Sequence, residues 1–120
     1  MKKILPIFIF LFSISAQAQF IHPLDFNGSE AQKNSVISYI QDRVKSDYCK
    51  KIDMCQETML RMMEQENLEA FKRLTKATNR KILDRAIHDY CGKVDMCTYQ
   101  MLEMMYNENL RKSTDKLSWE

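Results

Sequence analysis

Apolar residues recur at steps of three and four positions along most of the chain beyond residue 28, which is the spacing of one face of an α-helix. Each such stripe predicts a helix that buries this face. The four stripes are Ile37, Ile40, Val44 and Tyr48; Met59, Leu60, Met63, Phe71 and Leu74; Leu83, Ala86, Ile87 and Tyr90; and Met96, Met101, Leu102, Met105 and Leu110. With only two Gly and two Pro in 120 residues, the chain lacks the composition of a turn-rich β-sandwich. The fold class predicted is all-α.

Capping side chains predict where these helices begin and end. Ser29, with Gln32 three positions later, marks the start of the first helix. Asp53 and Asp95 are the predicted N-caps of the second and last helices, because an Asp carboxylate accepts the free N–H groups of a first turn. Gly92 is expected to end the helix that precedes the last cap.

One short segment, 75–79, is the only candidate break in the middle of the chain, since neither Gly nor Pro lies between Gly28 and Gly92. We expect a kink or short turn there with Asn79 as the cap of the next helix. The alternative is a single helix of about 35 residues from Met54 to Tyr90, which would make the molecule elongated. The chain is therefore either a four-helix arrangement or three helices with a long middle one.

The chain contains one helical unit twice. Between Ile40 and Leu68, 17 of 29 positions are identical to the residue 42 positions further on. We call 29–74 repeat 1 and 75–112 repeat 2, and the residue at this offset the counterpart. A repeated unit that cannot bury its apolar face alone buries it against a neighbour, so the two copies are expected to close on each other or to dimerise.

Each repeat carries a pair of cysteines six positions apart, Cys49 with Cys55 and Cys91 with Cys97. On a continuous helix six residues rise about 9 Å, which is beyond the ~7 Å Cα separation that a disulfide tolerates. Local pairing thus requires the helix to break between the cysteines, so that each repeat becomes a disulfide-clamped hairpin. A zinc site using all four thiolates is the alternative.

The first residues resemble a secretory leader. Lys2 and Lys3 precede an apolar run, and Ala16-Gln17-Ala18 predicts cleavage after Ala18. The run is about half the ~20 residues that cross a bilayer, so no stable membrane span is expected after cleavage. The whole chain has 18 basic and 16 acidic residues; without the two leader lysines the counts are equal, which argues against nucleic acid as a partner.

These features divide the chain into five parts and place it in an oxidising compartment, the periplasm or the outside of the cell. The parts are a signal peptide (1–18), a flexible N-terminal segment (19–28), hairpin repeat 1 (29–74), hairpin repeat 2 (75–112) and a frayed C-terminal tail (113–120).

Methionines and polar residues recur at equivalent places in the two repeats and are the candidate binding residues. The predicted partner-binding set is Met62, Met63, Glu66, Met104, Met105 and Glu108. Methionine side chains fill irregular cores and also form adaptable binding surfaces. Thioethers select Cu(I), so the alternative is a soft-metal site of Met59, Met62, Met63, Met101, Met104 and Met105.

Two further pairs of positions distinguish themselves in the repeat. Asn67 and Asn109 lie beside the apolar stripes and are candidates for buried hydrogen bonds that fix the register of the helices. Tyr99 and Tyr106 replace Glu57 and Glu64 of repeat 1. The last helix is therefore the more apolar one and a candidate docking surface.

Catalytic arrangements are not evident in the sequence. The chain has two histidines and no Gly-rich phosphate loop, and the local pairing assigns all four cysteines to bridges. We therefore expect a protein without enzymatic activity and without a cofactor.

The corner from Tyr48-Cys49 to Met54-Cys55, followed by a Met-rich amphipathic helix, resembles the disulfide-clamped bend in small periplasmic antiholins of T-even-like phages. The resemblance covers the C-x5-C motif and its flanking helices, and it transfers no binding residue. Small helical periplasmic immunity proteins match the chain equally well in size and compartment. We expect a periplasmic or secreted module that binds and modulates another protein, of the inhibitor, immunity or lysis-control type, with Cu(I) binding as the alternative.

Overall fold

The computed structural model describes residues 19–119, so the predicted leader and its cleavage site lie outside the described residues. In this range the chain forms four α-helices and no β-strand: α1 (Glu30–Lys45), α2 (Glu57–Leu74), α3 (Arg80–Ile87) and α4 (Tyr99–Lys112). None of these helices is long and apolar enough to cross a membrane. The all-α prediction is confirmed.

The helices form two hairpins that pack through their second members. α1 packs on α2, α3 packs on α4, and α2 and α4 meet in the middle of the molecule. The core takes side chains from every helix: Val36, Ile40 and Val44; Ala70, Phe71 and Leu74; Leu83 and Ala86; and Tyr99, Leu102 and Tyr106. The predicted stripes are largely confirmed, but Ile37 is exposed and Val36 is buried in its place.

Both disulfides are local, as predicted. Cys49 bonds Cys55 with a Cα–Cα distance of 4.4 Å, and Cys91 bonds Cys97 at 4.5 Å. All four cysteines are therefore engaged in bridges, and the described chain has no thiolate for a zinc site. Disulfides of this kind are typical of proteins in oxidising compartments.

Each corner begins with a widened helical turn. α1 continues into a π-helical turn at Ser46–Lys50, and α3 into another at His88–Lys93. In both repeats a backbone N–H after the turn donates to a tyrosine carbonyl, Met54 to Tyr48 and Met96 to Tyr90. Gly92 does not end the helix as predicted, because the π-turn continues to Lys93 and neither corner needs a positive φ. That is why Lys50 fits the equivalent place in repeat 1.

Two of the four predicted caps are confirmed and two are wrong. The Ser29 hydroxyl accepts the Gln32 N–H at 3.2 Å, and the Asn79 side chain accepts the Ile82 N–H at 3.1 Å. The chain thus breaks before Asn79, and the single helix from Met54 to Tyr90 does not form. Asp53 and Asp95 cap nothing.

The second and last helices start three residues later than predicted. α2 has Gln56 at its N-cap, without a side-chain hydrogen bond, and α4 has Thr98, whose hydroxyl accepts the Met101 N–H. Met96 consequently lies in the corner loop and is exposed. The half-cystines Cys55 and Cys97 come just before these caps, so the bridges keep the preceding residues in the loops.

The N-terminal segment 19–28 is packed, which corrects the prediction that it is flexible. The Tyr99 hydroxyl donates to the Ile21 carbonyl at 2.9 Å and accepts the Ile21 N–H at 3.2 Å. The Phe20 ring lies 5.4 Å from that of Tyr99 and 5.5 Å from that of Tyr39. The segment carries apolar side chains that the core covers, and it touches both repeats.

Tyr99 and Tyr106 are buried in the core, so the predicted docking surface on α4 is not exposed. The Tyr106 hydroxyl accepts the backbone N–H groups of Thr78 and Asn79, both at 3.1 Å. The Tyr99 ring lies 4.8 Å from that of Phe71 in repeat 1, whereas Glu57, its counterpart on α2, is exposed.

Candidate functional site

An open groove of about 500 Å³ lies where the corner of repeat 1 meets the corner of repeat 2 and the start of α4. Val44, Tyr48 and Met63 line it from repeat 1, and repeat 2 contributes further methionines. These are Met96, Met101 and Met104. The surface of the groove is thus mainly apolar and thioether-rich, although it is accessible from solvent.

Four charged side chains form one rim of the groove. Arg43 donates from Nη1 to Asp95 Oδ1 at 2.5 Å and from Nη2 to the Asp95 carbonyl at 2.7 Å. Lys51 Nζ lies 3.0 Å from Asp95 Oδ2 and 3.0 Å from Asp47 Oδ1. The rim is therefore neutral in sum and joins the two repeats.

Helix geometry explains how the rim assembles. Arg43 and Lys51 each lie four residues from Asp47, so all three project from the same side of α1 and its π-turn. The hydrogen bonds from Arg43 and then Lys51 lower the pKa of the Asp95 carboxyl below its ordinary value. The carboxylate that was predicted to cap α4 serves instead as the link between repeats.

The far side of the groove is held by one buried amide. Asn67 donates to the Met63 carbonyl at 2.9 Å and accepts the Gln100 N–H at 3.0 Å. The amide thereby satisfies a first-turn donor of α4 and fixes α4 against α2. The expectation of a buried register-fixing hydrogen bond is confirmed for Asn67. Its counterpart Asn109 is half-buried and makes no side-chain hydrogen bond within 19–119.

The predicted partner-binding residues do not form one site. Met63 and Met104 line the groove. Glu66 lies beside it, between α2 and α4, and accepts a hydrogen bond from the Gln100 side chain at 3.0 Å. Of the remaining three, Met62 is exposed outside the groove, Met105 packs against the core and Glu108 pairs with bases of its own helix.

The proposed copper ligands divide in a similar way. Met63, Met101 and Met104 share the groove, whereas Met59, Met62 and Met105 do not line it. Met96 also lines the groove. The sequence did not indicate this, because Met96 was assigned to the last helix, whereas it lies in the corner loop before α4. Among residues 19–119 no group of three or more His, Cys, Asp or Glu side chains is placed to hold a metal ion.

The charged rim is the part of the site that the sequence analysis missed. The signal was present, because Arg, Asp and Lys recur at four-residue steps in both repeats: Arg43, Asp47 and Lys51, and Arg85, Asp89 and Lys93.

Comparison of the chain with protein-family models, curated proteins and solved structures gives no match. The groove is therefore interpreted from its own geometry.

Proposed function

We propose that this protein is a non-enzymatic helical module that binds and modulates another protein through the groove between its repeats. The observation that carries the proposal is an open apolar groove that no other part of the described chain covers. Met104 on its wall is 55% exposed. Exposed apolar concavities of this kind are typical of surfaces that bind a partner.

The chemistry of the groove indicates the kind of partner. Methionine side chains are flexible and polarisable, so a methionine-lined surface adapts to differently shaped apolar side chains. The rim charges are paired with one another, which leaves little net charge to attract a strongly acidic or basic ligand. The partner that fits is the apolar face of a helix, with polar groups at its margin that reach the rim.

The corner disulfides support this role because they hold the groove walls in place. Cys49–Cys55 fixes the end of α1 that carries Tyr48, and Cys91–Cys97 precedes the helix that carries Met101 and Met104. A preorganised surface loses less entropy when it binds. In this proposal the module acts in the periplasm or outside the cell, after cleavage near Ala18, as inhibitor, immunity or lysis-control proteins do.

The test places a photoreactive diazirine side chain at position 104 and at position 37. Ile37 is a matched control because it is also exposed, at 42%, but lies outside the groove. We expect position 104 to cross-link one discrete protein in the exported fraction, position 37 to leave that protein unlabelled, and excess unlabelled chain to compete. The Met101→Glu variant should abolish the cross-link. Labelling from both positions alike would contradict the proposal.

Soft-metal binding is the second candidate, because Met63, Met96, Met101 and Met104 bring four thioethers from both repeats into one groove. The two functions differ in one measurement. A Cu(I) site would take the ion from a weak chelator and lose it in Met101→Ala and Met104→Ala, whereas a protein-binding groove would lose its cross-linked partner without any effect of metal.

A further inference from the structure

The contact between the two repeats has a second, unused copy on the outside of the molecule. Repeat 1 contributes one set of positions to the contact and repeat 2 another, so the 42-residue offset defines counterparts of both sets. On the outer face of repeat 1, the exposed counterparts of the repeat 2 set are Asp53 and Glu57. On the outer face of repeat 2, the exposed counterparts of the repeat 1 set are Lys81, Arg85 and Lys93.

The charge cluster that joins the two repeats reappears with the same charges. Within the chain, Asp95 is held by Arg43 and Lys51. Their counterparts are Asp53 on one outer face and Arg85 with Lys93 on the other. The Arg43 side chain is 18% exposed, whereas that of Arg85 is 68% exposed. Arg85 and Lys93 are arranged around Asp89 as Arg43 and Lys51 are around Asp47. We call Arg85 and Lys93 the cradle; it is formed and exposed, ready to accept a carboxylate.

A partner for that cradle is present on the opposite outer face. Asp53 is exposed and makes no ion pair within the described residues 19–119. It lies in the corner loop of repeat 1 in the place that Asp95 occupies in repeat 2. Arg43 also donates to the Asp95 carbonyl, and the Asp53 carbonyl accepts no backbone hydrogen bond among the described residues.

A second ion pair between the repeats has no copy on the outer faces. Arg73 donates to Glu103 through two hydrogen bonds, of 2.6 and 2.8 Å. The position 42 residues after Arg73 lies beyond the end of α4 at Lys112. Arg61, the counterpart of Glu103, is already paired with Glu64 at 2.7 Å. The outer faces therefore share the charge cluster around Asp95 but not this pair.

An aromatic contact between the repeats is replaced by opposite charges. The Tyr39 and Tyr99 rings lie 5.7 Å apart. Their counterparts are Lys81 and Glu57, and both are exposed. One outer face thus carries an acid where the other carries a base.

We propose that the outer face of repeat 2 binds the outer face of repeat 1 of a second copy of this chain, in the arrangement that repeat 1 and repeat 2 have within one molecule. The contact is head-to-tail, so it leads to rings or to open chains of molecules according to the rotation it imposes. It is formed mainly by exposed charges, so it weakens as salt screens them. It does not use the groove-lining residues, and it therefore stands apart from the proposed function.

The test measures the mass of the disulfide-bonded protein by sedimentation velocity at low ionic strength. We expect wild type to associate beyond the monomer and to return to it at ~1 M salt, where the Debye length falls to about 3 Å. Asp53→Lys and the double variant Arg85→Glu/Lys93→Glu should each be monomeric. Their equimolar mixture should associate again, because each supplies the face that the other lacks. Glu30→Lys, which makes the same charge change on α1 away from both faces, should behave as wild type.

Three results would overturn the proposal. Wild type could remain monomeric at ~1 mM protein. Association weaker than a dissociation constant of about 1 mM does not count as support for the proposal. The mixture of the two variants could stay monomeric although each has a native circular dichroism spectrum. Glu30→Lys could dissociate as fully as Asp53→Lys, which would indicate a net-charge effect. In each case the outer faces are polar ends of a two-repeat stack and nothing more.

Discussion

At the scale of single residues, the two repeats show how one identical side chain acquires different roles. Asn67 is buried at the contact between the repeats, where its amide serves both α2 and α4. Asn109 occupies the same position of its own repeat and has no neighbouring repeat to bond. Position in the sequence motif is the same, but only the inner copy has a partner backbone.

We expect Asn67→Ala to lower the free energy of unfolding by about 1–3 kcal/mol, because it removes a buried amide and leaves the partly buried Gln100 N–H without its acceptor. Asn109→Ala is the matched control and should change stability by less than ~0.5 kcal/mol. Urea unfolding followed by circular dichroism measures both. Equal losses in the two variants would show that the Asn67 hydrogen bonds do not join the repeats.

Local signals in the sequence predict the helix ends that depend on nearby residues only. Ser29 and Asn79 cap the helices that follow them because each reaches an N–H three positions away. Asp95 could not be assigned from sequence, since its partner Arg43 lies 52 positions away and competes for the same carboxylate. The groove has the same origin, because its walls meet only after α2 and α4 have packed.

At the scale of elements, each corner combines a π-turn, a disulfide and an ion-pair cluster. In repeat 1 the cluster reaches across to Asp95, and the pKa of this carboxyl is lowered chiefly by the hydrogen bond from Arg43 and also by that from Lys51. A carboxyl whose pKa is lower in the folded state stabilises the fold above its unfolded pKa. That contribution is lost as the pH falls through the lowered value.

We expect Asp95→Asn to be less stable than wild type at neutral pH and to approach wild type as the pH falls below about 3.9 and through the lowered pKa. Urea unfolding midpoints at a series of pH values test this. Asp53→Asn is the matched control, measured on dilute protein, because Asp53 makes no ion pair within the described chain. A constant difference between Asp95→Asn and wild type at all pH values would contradict the assignment.

At the scale of the whole molecule, the N-terminal segment joins the two repeats. Phe20 packs against Tyr39 of repeat 1 and Tyr99 of repeat 2, and the Arg80 side chain pairs with Asp25 at 2.7 Å. The segment was not predicted to be ordered, because its apolar residues follow no helical or strand period. Its packing depends on a crevice that exists only when both hairpins are in place.

We expect Phe20→Ala to lower the free energy of unfolding by about 2 kcal/mol, below the ~3–5 kcal/mol typical of a fully buried Phe, because Phe20 is half-buried. Ile37→Ala, an exposed apolar truncation on α1, should change it by less than ~0.5 kcal/mol. Thermal unfolding should stay a single transition in both. A separate early transition in Phe20→Ala would show that the repeats unfold independently once the segment is loosened.

Each disulfide forms within its own hairpin, so the disulfide connectivity of the molecule is modular. A further copy of the segment, added by duplication of its coding sequence, would bring its own complete bridge and would disturb neither of the existing ones. Insertion or loss of whole units is thus compatible with correct cysteine pairing at every step. An ancestor with a single hairpin could have lengthened to the present chain without passing through a mispaired intermediate.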